Sequence, residues 1–441
     1  MAVGGGPGYP STGSRWEYRG IFGPLIPSRG LLLVDQRGTG GSALIDCKSV
    51  QGYAGRTSGR AFARQVGRCA AEIDARYGRG AHSYFATAYA ADDLAAVLRA
   101  LKLGKVDLYG DSYGTFFVQE YIARHPSTLH SVILDSAYPR RDLDPWYASS
   151  GAAARGALET VSPGSVARLG AMLSQLREAA RLKSFAGAPE AFAPFTAAEW
   201  LTISGFSQPY DICLDWPRSK RPPAVPTVKV DVPVLIVGGD LDSLTPLSDA
   251  PEFGPKLGDD VSIVTLKNTV HVTSEGDTYL VEGMRCARWV IRSFLRGALN
   301  SSCAGSIPAL HLPDYPLTLG AAVPATLVSG PDPGETARRA ATVAAQAFAD
   351  ATMRSIYTGG ARFGAGLRGG RFVARGEKLT LERVRFVSDQ VVSGTGTLEA
   401  GTGAVDATLT VAGATVHVTW TQATPQATAR IGDSVLTLPA P

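Results

Sequence analysis

A short apolar run, Val106 to Tyr109, ends in Gly110-Asp111-Ser112-Tyr113-Gly114 and passes directly into the helical spacing of Phe117, Tyr121 and Ile122. A serine on so abrupt a strand-to-helix turn has a strained backbone, and only small residues two places to either side let the flanking elements pass close together. Gly110 and Gly114 supply that room, so the Ser112 hydroxyl stands exposed at the tip of a nucleophile elbow. The pentapeptide alone is short enough to arise by chance. Its meaning comes from the buried strand before it and the apolar-periodic helix after it.

The rest of the chain has ample material for a sheet around this turn. At 441 residues, 45% hydrophobic and 19% charged, it can bury a large core and is expected to hold two or three domains. The formal charge of +4 is spread thinly, with no Lys/Arg run, so nucleic acid is not an expected partner. The given residues contain neither an 18-residue apolar stretch nor an amino-terminal charged-then-apolar segment, so no membrane span or signal peptide is expected within them.

Gly30 to Asp35 reads as a buried strand, followed by the glycine-rich Gln36 to Ser42, whose glycines alone need mean no more than a turn. Tyr89, Leu94, Val97, Leu98 and Leu101 mark a covering helix over 84–103, with Asp92 and Asp93 near its start, where the helix dipole favours acids. Buried strands follow at Ser131 to Asp135, Val232 to Gly239 and Val261 to Leu266. Strands alternating with helices predict an α/β architecture, a mostly parallel sheet covered on both faces. Between the first and second of these strands, residues 139–229 carry helical spacing at Val166, Leu169, Leu173, Leu176 and Ala180. A helical block inserted there reads as a lid over the site, where substrate would be selected.

With a nucleophile elbow of this kind, a base and an acid for Ser112 are expected later in the chain, in the order serine, acid, histidine. Asp240 and Asp242 both follow a buried strand and qualify by position. Of the six histidines, His271 alone lies just after a buried strand downstream of those acids; His82, His125 and His130 precede them, His311 sits in a Pro-rich exit and His417 alternates on a late strand.

Three motifs in order, Gly5-Gly6-Pro7-Gly8, then Asp35-Gln36-Arg37-Gly38-Thr39-Gly40-Gly41-Ser42, then Gly110-Asp111-Ser112-Tyr113-Gly114-Thr115, resemble the proline iminopeptidase and tripeptidyl aminopeptidase group of serine peptidases with the α/β-hydrolase fold. The likeness runs from about residue 4 to about residue 316. It implies a catalytic set of Ser112, Asp242 and His271. Asp242 is preferred because Gly239, Asp242, Thr245 and Pro246 match the group's Gly-x-x-Asp-x-x-Thr-Pro, which leaves Asp240 as a loop acid bonded to nearby backbone. Val270 and Val272 flank His271 where the group often has a glycine. The resemblance also implies an oxyanion hole from the backbone N–H groups of Gly6 and Tyr113, with neither metal nor organic cofactor.

Members of the group are commonly exported with disulfides, which implies Cys47–Cys69 and Cys286–Cys303 and a secreted or cell-envelope location, with Cys213 left over. Five reduced thiols in a cytoplasmic enzyme is the alternative. In the group, lid carboxylates bind the free amino terminus of the substrate. Glu199, Asp211 and Asp215, beside Trp200 and Trp216, are the residues here that suit that task, although plain surface acids are the commoner explanation. In the resembled fold the strand feeding the first glycine loop lies inside the sheet, between the strands ending at Asp35 and Gly110. Only Ala2 and Val3 of it are present, so N-terminal strands are expected to be missing and further upstream sequence with an export signal is expected.

The expected organisation is a hydrolase core over 1–138 and 230–316, the lid over 139–229, a Pro- and Gly-rich linker over 317–333, and over 334–441 one Ala-rich helix followed by a β-rich accessory domain of alternating strands. The implied activity is the removal of short amino-terminal units, tripeptidyl or prolyl in type, from peptides. The partner is then a peptide or small acyl substrate. An esterase or other acyl hydrolase shares the same elbow, and a catalytically impaired scaffold carrying its task on the β-rich domain is the non-enzymatic alternative.

Overall fold

The computed structural model describes the chain apart from residues 55–58, 138, 140–152, 154–155, 166, 168–214, 219, 221–222, 224, 276–280, 310–313, 358–361, 400–401, 422–423, 425 and 440. The apolar stripe of the expected lid, the acids Glu199 and Asp211, Cys213 and His311 therefore lie outside the described residues. Two compact units are drawn from Met1–Ala154, Phe206–Thr278 and Gly283–Ile307 in one case, and from Arg155–Gly205, Tyr279–Glu282 and Pro308–Pro441 in the other.

The first unit is built on a parallel sheet of β1 (Ala2–Val3), β2 (Val106–Asp111), β3 (Leu129–Asp135), β4 (Val234–Gly239) and β5 (Val261–Leu266), in that spatial order. Helices α1 (Arg15–Phe22), α2 (Gly59–Tyr77), α3 (Thr87–Ala100), α4 (Tyr113–Arg124) and α5 (Val281–Leu295) belong to this part of the chain. β3 and β4 are apolar runs with nearly every residue buried, as a sheet covered on both faces requires. Leu94, Leu98, Leu108, Phe117, Ile122, Val132, Val234 and Ile236 share one core that joins strands to the covering helices.

β1 occupies the place beside β2 where the sequence implies a feeding strand: Ala2 pairs with Tyr109 and Val3 with Gly110, and Ala2 also bridges Leu33. The strand expected over 30–35 contributes only that single bridge. Asp35 at its end is fixed instead by loop donors: its carboxylate accepts Thr12 N at 2.8 Å, Thr12 Oγ1 at 2.7 Å and Gly41 N at 2.9 Å. The covering helix runs over Thr87–Ala100, shorter than 84–103, because Ala81–Phe85 forms a separate 3-10 turn. Its two acids hold neighbouring side chains: Asp93 takes a bidentate grip from Arg37 with both contacts at 2.6 Å, and Asp92 is hydrogen-bonded to His125 at 2.8 Å.

Cys47–Cys69 and Cys286–Cys303 form disulfides, with Cα atoms 5.2 Å and 5.8 Å apart. Each closes a loop within the first unit, the first beside a small core of Ile73 and Ala81.

The second unit is an antiparallel sheet of β6 (Thr326–Ser329), β7 (Phe363–Gly364), β8 (Arg371–Arg375), β9 (Lys378–Val384), β10 (Val392–Leu398), β11 (Ala404–Val411), β12 (Ala414–Thr421), β13 (Gln426–Ile431) and β14 (Ser434–Pro439). Its spatial order is β6-β14-β13-β12-β11-β10-β9-β8-β7. One helix, α6 (Glu335–Tyr357), packs on it. Alternate residues of β11 are buried and exposed along its length, so one face of the sheet is core and the other solvated. Ala340, Ala341, Ala344, Ala345, Ala347 and Ala351 are buried on the helix, small enough to let it approach the sheet closely, and Phe348 meets Trp420 edge-on with ring centroids 6.2 Å apart. The helix and alternating strands read from the sequence over 334–441 are this unit's frame.

Candidate active site

In a parallel sheet the carboxyl ends of all strands lie along one edge, and loops leaving them meet there. Ser112 follows β2, Asp242 follows β4 and His271 follows β5. Ser112 has φ 49° and ψ −123°, a region that side-chain-bearing residues rarely adopt. Neighbouring backbone holds it there: Ser112 N donates to Asp135 O at 3.0 Å, and Ser112 O accepts Thr115 N at 2.9 Å and Thr115 Oγ1 at 2.6 Å. The flanking glycines are a steric necessity, since a Cβ on Gly110 would lie 2.4 Å from Gly114 O and one on Gly114 only 2.3 Å from Val3 O.

His271 Nε2 lies 2.8 Å from Ser112 Oγ, and His271 Nδ1 lies 2.9 Å from Asp242 Oδ2. Asp242 is buried; its Oδ1 accepts Leu244 N and Thr245 N, both at 2.9 Å, and its Oδ2 accepts Thr245 Oγ1 at 2.8 Å. Burial works against the Asp242 charge, but the bond and charge of His271 together with the Thr245 donors outweigh it and hold the carboxyl below the usual carboxylate range. Burial likewise disfavours an imidazolium at His271. The Asp242 bond and charge prevail, with Asp135 and Asp111 adding further negative potential, and the histidine is pushed above its ordinary value. A hydroxyl, an imidazole and a carboxylate chained in this way can move a proton off the hydroxyl and stabilise the cation so formed.

The glycine loop reaches the same place. A Cβ on Gly5 would sit 2.9 Å from Ser112 Cβ and 2.9 Å from Asp111 Oδ1, so its backbone passes directly against the elbow, with Gly6 next in the chain at φ 112°. Tyr113, the other expected oxyanion donor, is the first residue of α4, where backbone N–H groups lack intrahelical partners. Its phenol is tied to Thr87 Oγ1 at 2.6 Å. Asp240, expected to bond nearby backbone, instead pairs with Lys267 Nζ at 3.3 Å. Of the proposed lid residues, Asp215 and Trp216 are described, with Trp216 packed against the Cys47–Cys69 cluster.

Two groups of residues beside the site were not singled out in the sequence. Thr245 touches both Asp242 and His271, its Oγ1 lying 3.0 Å from His271 Nδ1, and the Thr-Pro of the quoted pattern was the available signal. Behind the elbow lies a set of buried polar groups. Asp111 accepts Tyr18 OH at 2.9 Å, and its pKa is pushed up to about 7, chiefly by burial, with the charge of Asp135 adding and hydrogen bonds with Tyr18, Glu275 and the Gly5 backbone opposing. Asp135, fully buried at the end of β3, faces the loop that follows His271. Asp111 stands inside the elbow motif and Asp135 ends a strand read from the sequence, but neither pattern announces a buried polar group. Among the described residues no cluster of His, Cys, Asp and Glu suits a metal ion, and no helix is long and apolar enough to cross a membrane.

A family model described as the alpha/beta hydrolase fold matches residues 3–272. No curated protein sequence matches the chain. Similar solved structures include a proline iminopeptidase from Mycobacterium smegmatis, 17% identical over 67% of this chain and 88% of that one, with a TM-score of 0.37. An esterase from Thermogutta terrifontis is 15% identical over 68% and 90% of the two chains, with a TM-score of 0.34. An esterase from a Rhodococcus species is 20% identical over 68% and 90%, with a TM-score of 0.35.

Proposed function

Because this chain belongs to the alpha/beta hydrolase fold family, we propose that it is a serine hydrolase working through an acyl-enzyme on Ser112, with peptide amino termini as its substrates. The observation that carries the chemistry is the unbroken chain from Ser112 Oγ to His271 Nε2 at 2.8 Å and from His271 Nδ1 to Asp242 Oδ2 at 2.9 Å. His271 takes the hydroxyl proton as Ser112 Oγ bonds to the substrate carbonyl carbon. The oxyanion rests on the backbone N–H groups of Gly6 and Tyr113. The C–N bond then breaks, the amine leaving with the proton from His271, and water repeats the sequence on the ester to free the acid and regenerate the serine. Losing one oxyanion donor typically costs about 10²–10³ in rate, so the reaction also depends on the placement of the glycine loop.

The peptidase half of the proposal rests on the three ordered motifs of the sequence, and the enzyme is taken to release tripeptidyl or prolyl units outside the cell or in its envelope. The two disulfides support that location. The same triad hydrolyses esters, and the decisive comparison sets tripeptidyl and prolyl amides against short-chain esters, with a fluorophosphonate probe reporting on Ser112. Labelling at Ser112 with faster turnover of tripeptidyl or prolyl amides is expected. Turnover of esters alone removes the peptidase claim, and folded protein that takes up no probe removes the hydrolase claim altogether.

A further inference from the structure

Asp135, at the carboxyl end of β3, is fully buried, and the proposed mechanism leaves it without a task. Each of its oxygens is gripped by one residue of the loop that begins at His271. Oδ1 accepts Thr273 Oγ1 at 2.6 Å and Thr273 N at 3.2 Å; Oδ2 accepts Ser274 Oγ at 2.5 Å and Ser274 N at 3.0 Å. Tyr109 OH adds a longer contact to Oδ2 at 3.2 Å and lies 2.9 Å from Ser274 Oγ. Arg288 Nε closes the far side by donating to Ser274 O at 2.8 Å. The backbone of Asp135 acts on the other reacting side chain, since its carbonyl accepts the N–H of Ser112 at 3.0 Å.

One residue thus holds the nucleophile through its main chain and the histidine loop through its side chain. We propose that Asp135 is a positioning residue whose carboxylate fixes Thr273 and Ser274 and thereby holds the His271 imidazole in line between Ser112 and Asp242. The inference deepens the proposed function and rests on it. A structural acid would be satisfied by any set of donors. Here four of the five donors within 3.2 Å come from two consecutive residues, the second and third after His271, which ties the imidazole to β3 through a span of a few bonds. Burying a carboxylate costs several kcal/mol unless donors surround it, so the loop has one arrangement that satisfies the acid, and leaving it orphans a buried charge. Burial pushes the Asp135 carboxyl above its ordinary range against the Ser274 and Thr273 bonds, and in its ionised form it acts on His271 directly, after Asp242 and beside Asp111, helping to raise its pKa.

The test uses the full chain, with p-nitrophenyl acetate as a small activated ester and a fluorophosphonate probe as titrant of Ser112. Asp135→Asn keeps the size of the side chain but turns an amide NH₂ towards two donors. It should lower kcat and the labelling rate by about 10- to 100-fold, with KM changed less than about twofold, as loss of a supporting hydrogen-bond shell commonly does. The acid limb of its pH–rate profile should also move to lower pH, because a negative charge near His271 has gone. Thr273→Val and Ser274→Ala, each removing one hydroxyl and leaving the backbone donors, should lower kcat by smaller factors and by more when combined. Thr273→Ser should fall less than Thr273→Val.

A folded Asp135→Asn protein with wild-type kcat and an unmoved acid limb overturns the inference while leaving the proposed function intact. If that variant fails to fold, the hydroxyl variants decide: wild-type kcat in the combined variant overturns the inference, and a graded loss supports it. Folded wild-type protein that neither labels nor turns over the ester overturns both proposals together.

Discussion

At Ser112 the chain holds a side-chain-bearing residue at φ 49°, against a backbone cost of order 1–3 kcal/mol that three hydrogen bonds from Asp135 and Thr115 offset. The hydroxyl this exposes works only while His271 is neutral and able to accept a proton. His271 is pushed above the ordinary histidine value of 6.5 despite its burial, by Asp242 first and then by Asp135 and Asp111. The sign follows: protonation removes the base, so kcat/KM should be lost as pH falls through a value above 6.5. A pH–rate profile whose acid limb is centred at or below 6.5 would contradict that assignment.

Ser112, Asp242 and His271, which the structure brings within hydrogen-bond distance in that chain, were legible as candidates because each follows a strand signal; Ser112 and Asp242 also sit in short patterns, whereas His271 stood out by chain order. The roles of Thr245 and Asp135 depend on which loops meet in space. Nothing near Asp135 in the chain announces Thr273, which is 138 residues away.

At the level of elements, the long apolar runs of β3 and β4 and the spacing of α3 were legible because burial on both faces, or on one helical stripe, writes itself into local sequence. Gly30 to Asp35 reads like an equal strand, yet it makes one bridge, because pairing depends on a neighbour that sequence does not specify. The helical lid rests on sequence alone, since most of it lies outside the described residues.

The junction of β2 and α4 is the element most sensitive to change. In Gly110→Ala the new methyl would meet the carbonyl of Gly114 at 2.4 Å and the Val118 side chain at 2.8 Å, and backbone cannot give way cheaply. A loss of about 1–3 kcal/mol, seen as a fall of several degrees in Tm, should accompany loss of probe labelling. Unchanged melting and labelling would mean that the elbow is looser than these distances require.

On the scale of the whole molecule, every residue proposed to take part in catalysis belongs to the unit that ends at Ile307. The nine-stranded unit has its own core, from Phe348 and Trp420 out to Phe372 and Leu436, and domains with separate cores fold separately in principle. A chain ending after about Pro316 is expected to stay soluble and to label at Ser112 at the full-length rate. Soluble truncated protein that no longer labels would give the C-terminal unit a part in the site.

That unit's sheet also bears on how the protein behaves when crowded. An open sheet is a template: a long bare margin recruits the next chain and the next, and fibres grow from it. Here the outermost strands are β6, four residues long, and β7, only two, with the exposed Phe363 ring of β7 covered by the Arg371 guanidinium 5.6 Å from its centroid. A seventh or eighth strand can lean on its neighbours for the length of a ladder, but a newcomer at either margin finds rungs for only a few bonds. The broad sheet therefore carries its own stop at both ends, and concentration alone gives it nowhere to grow.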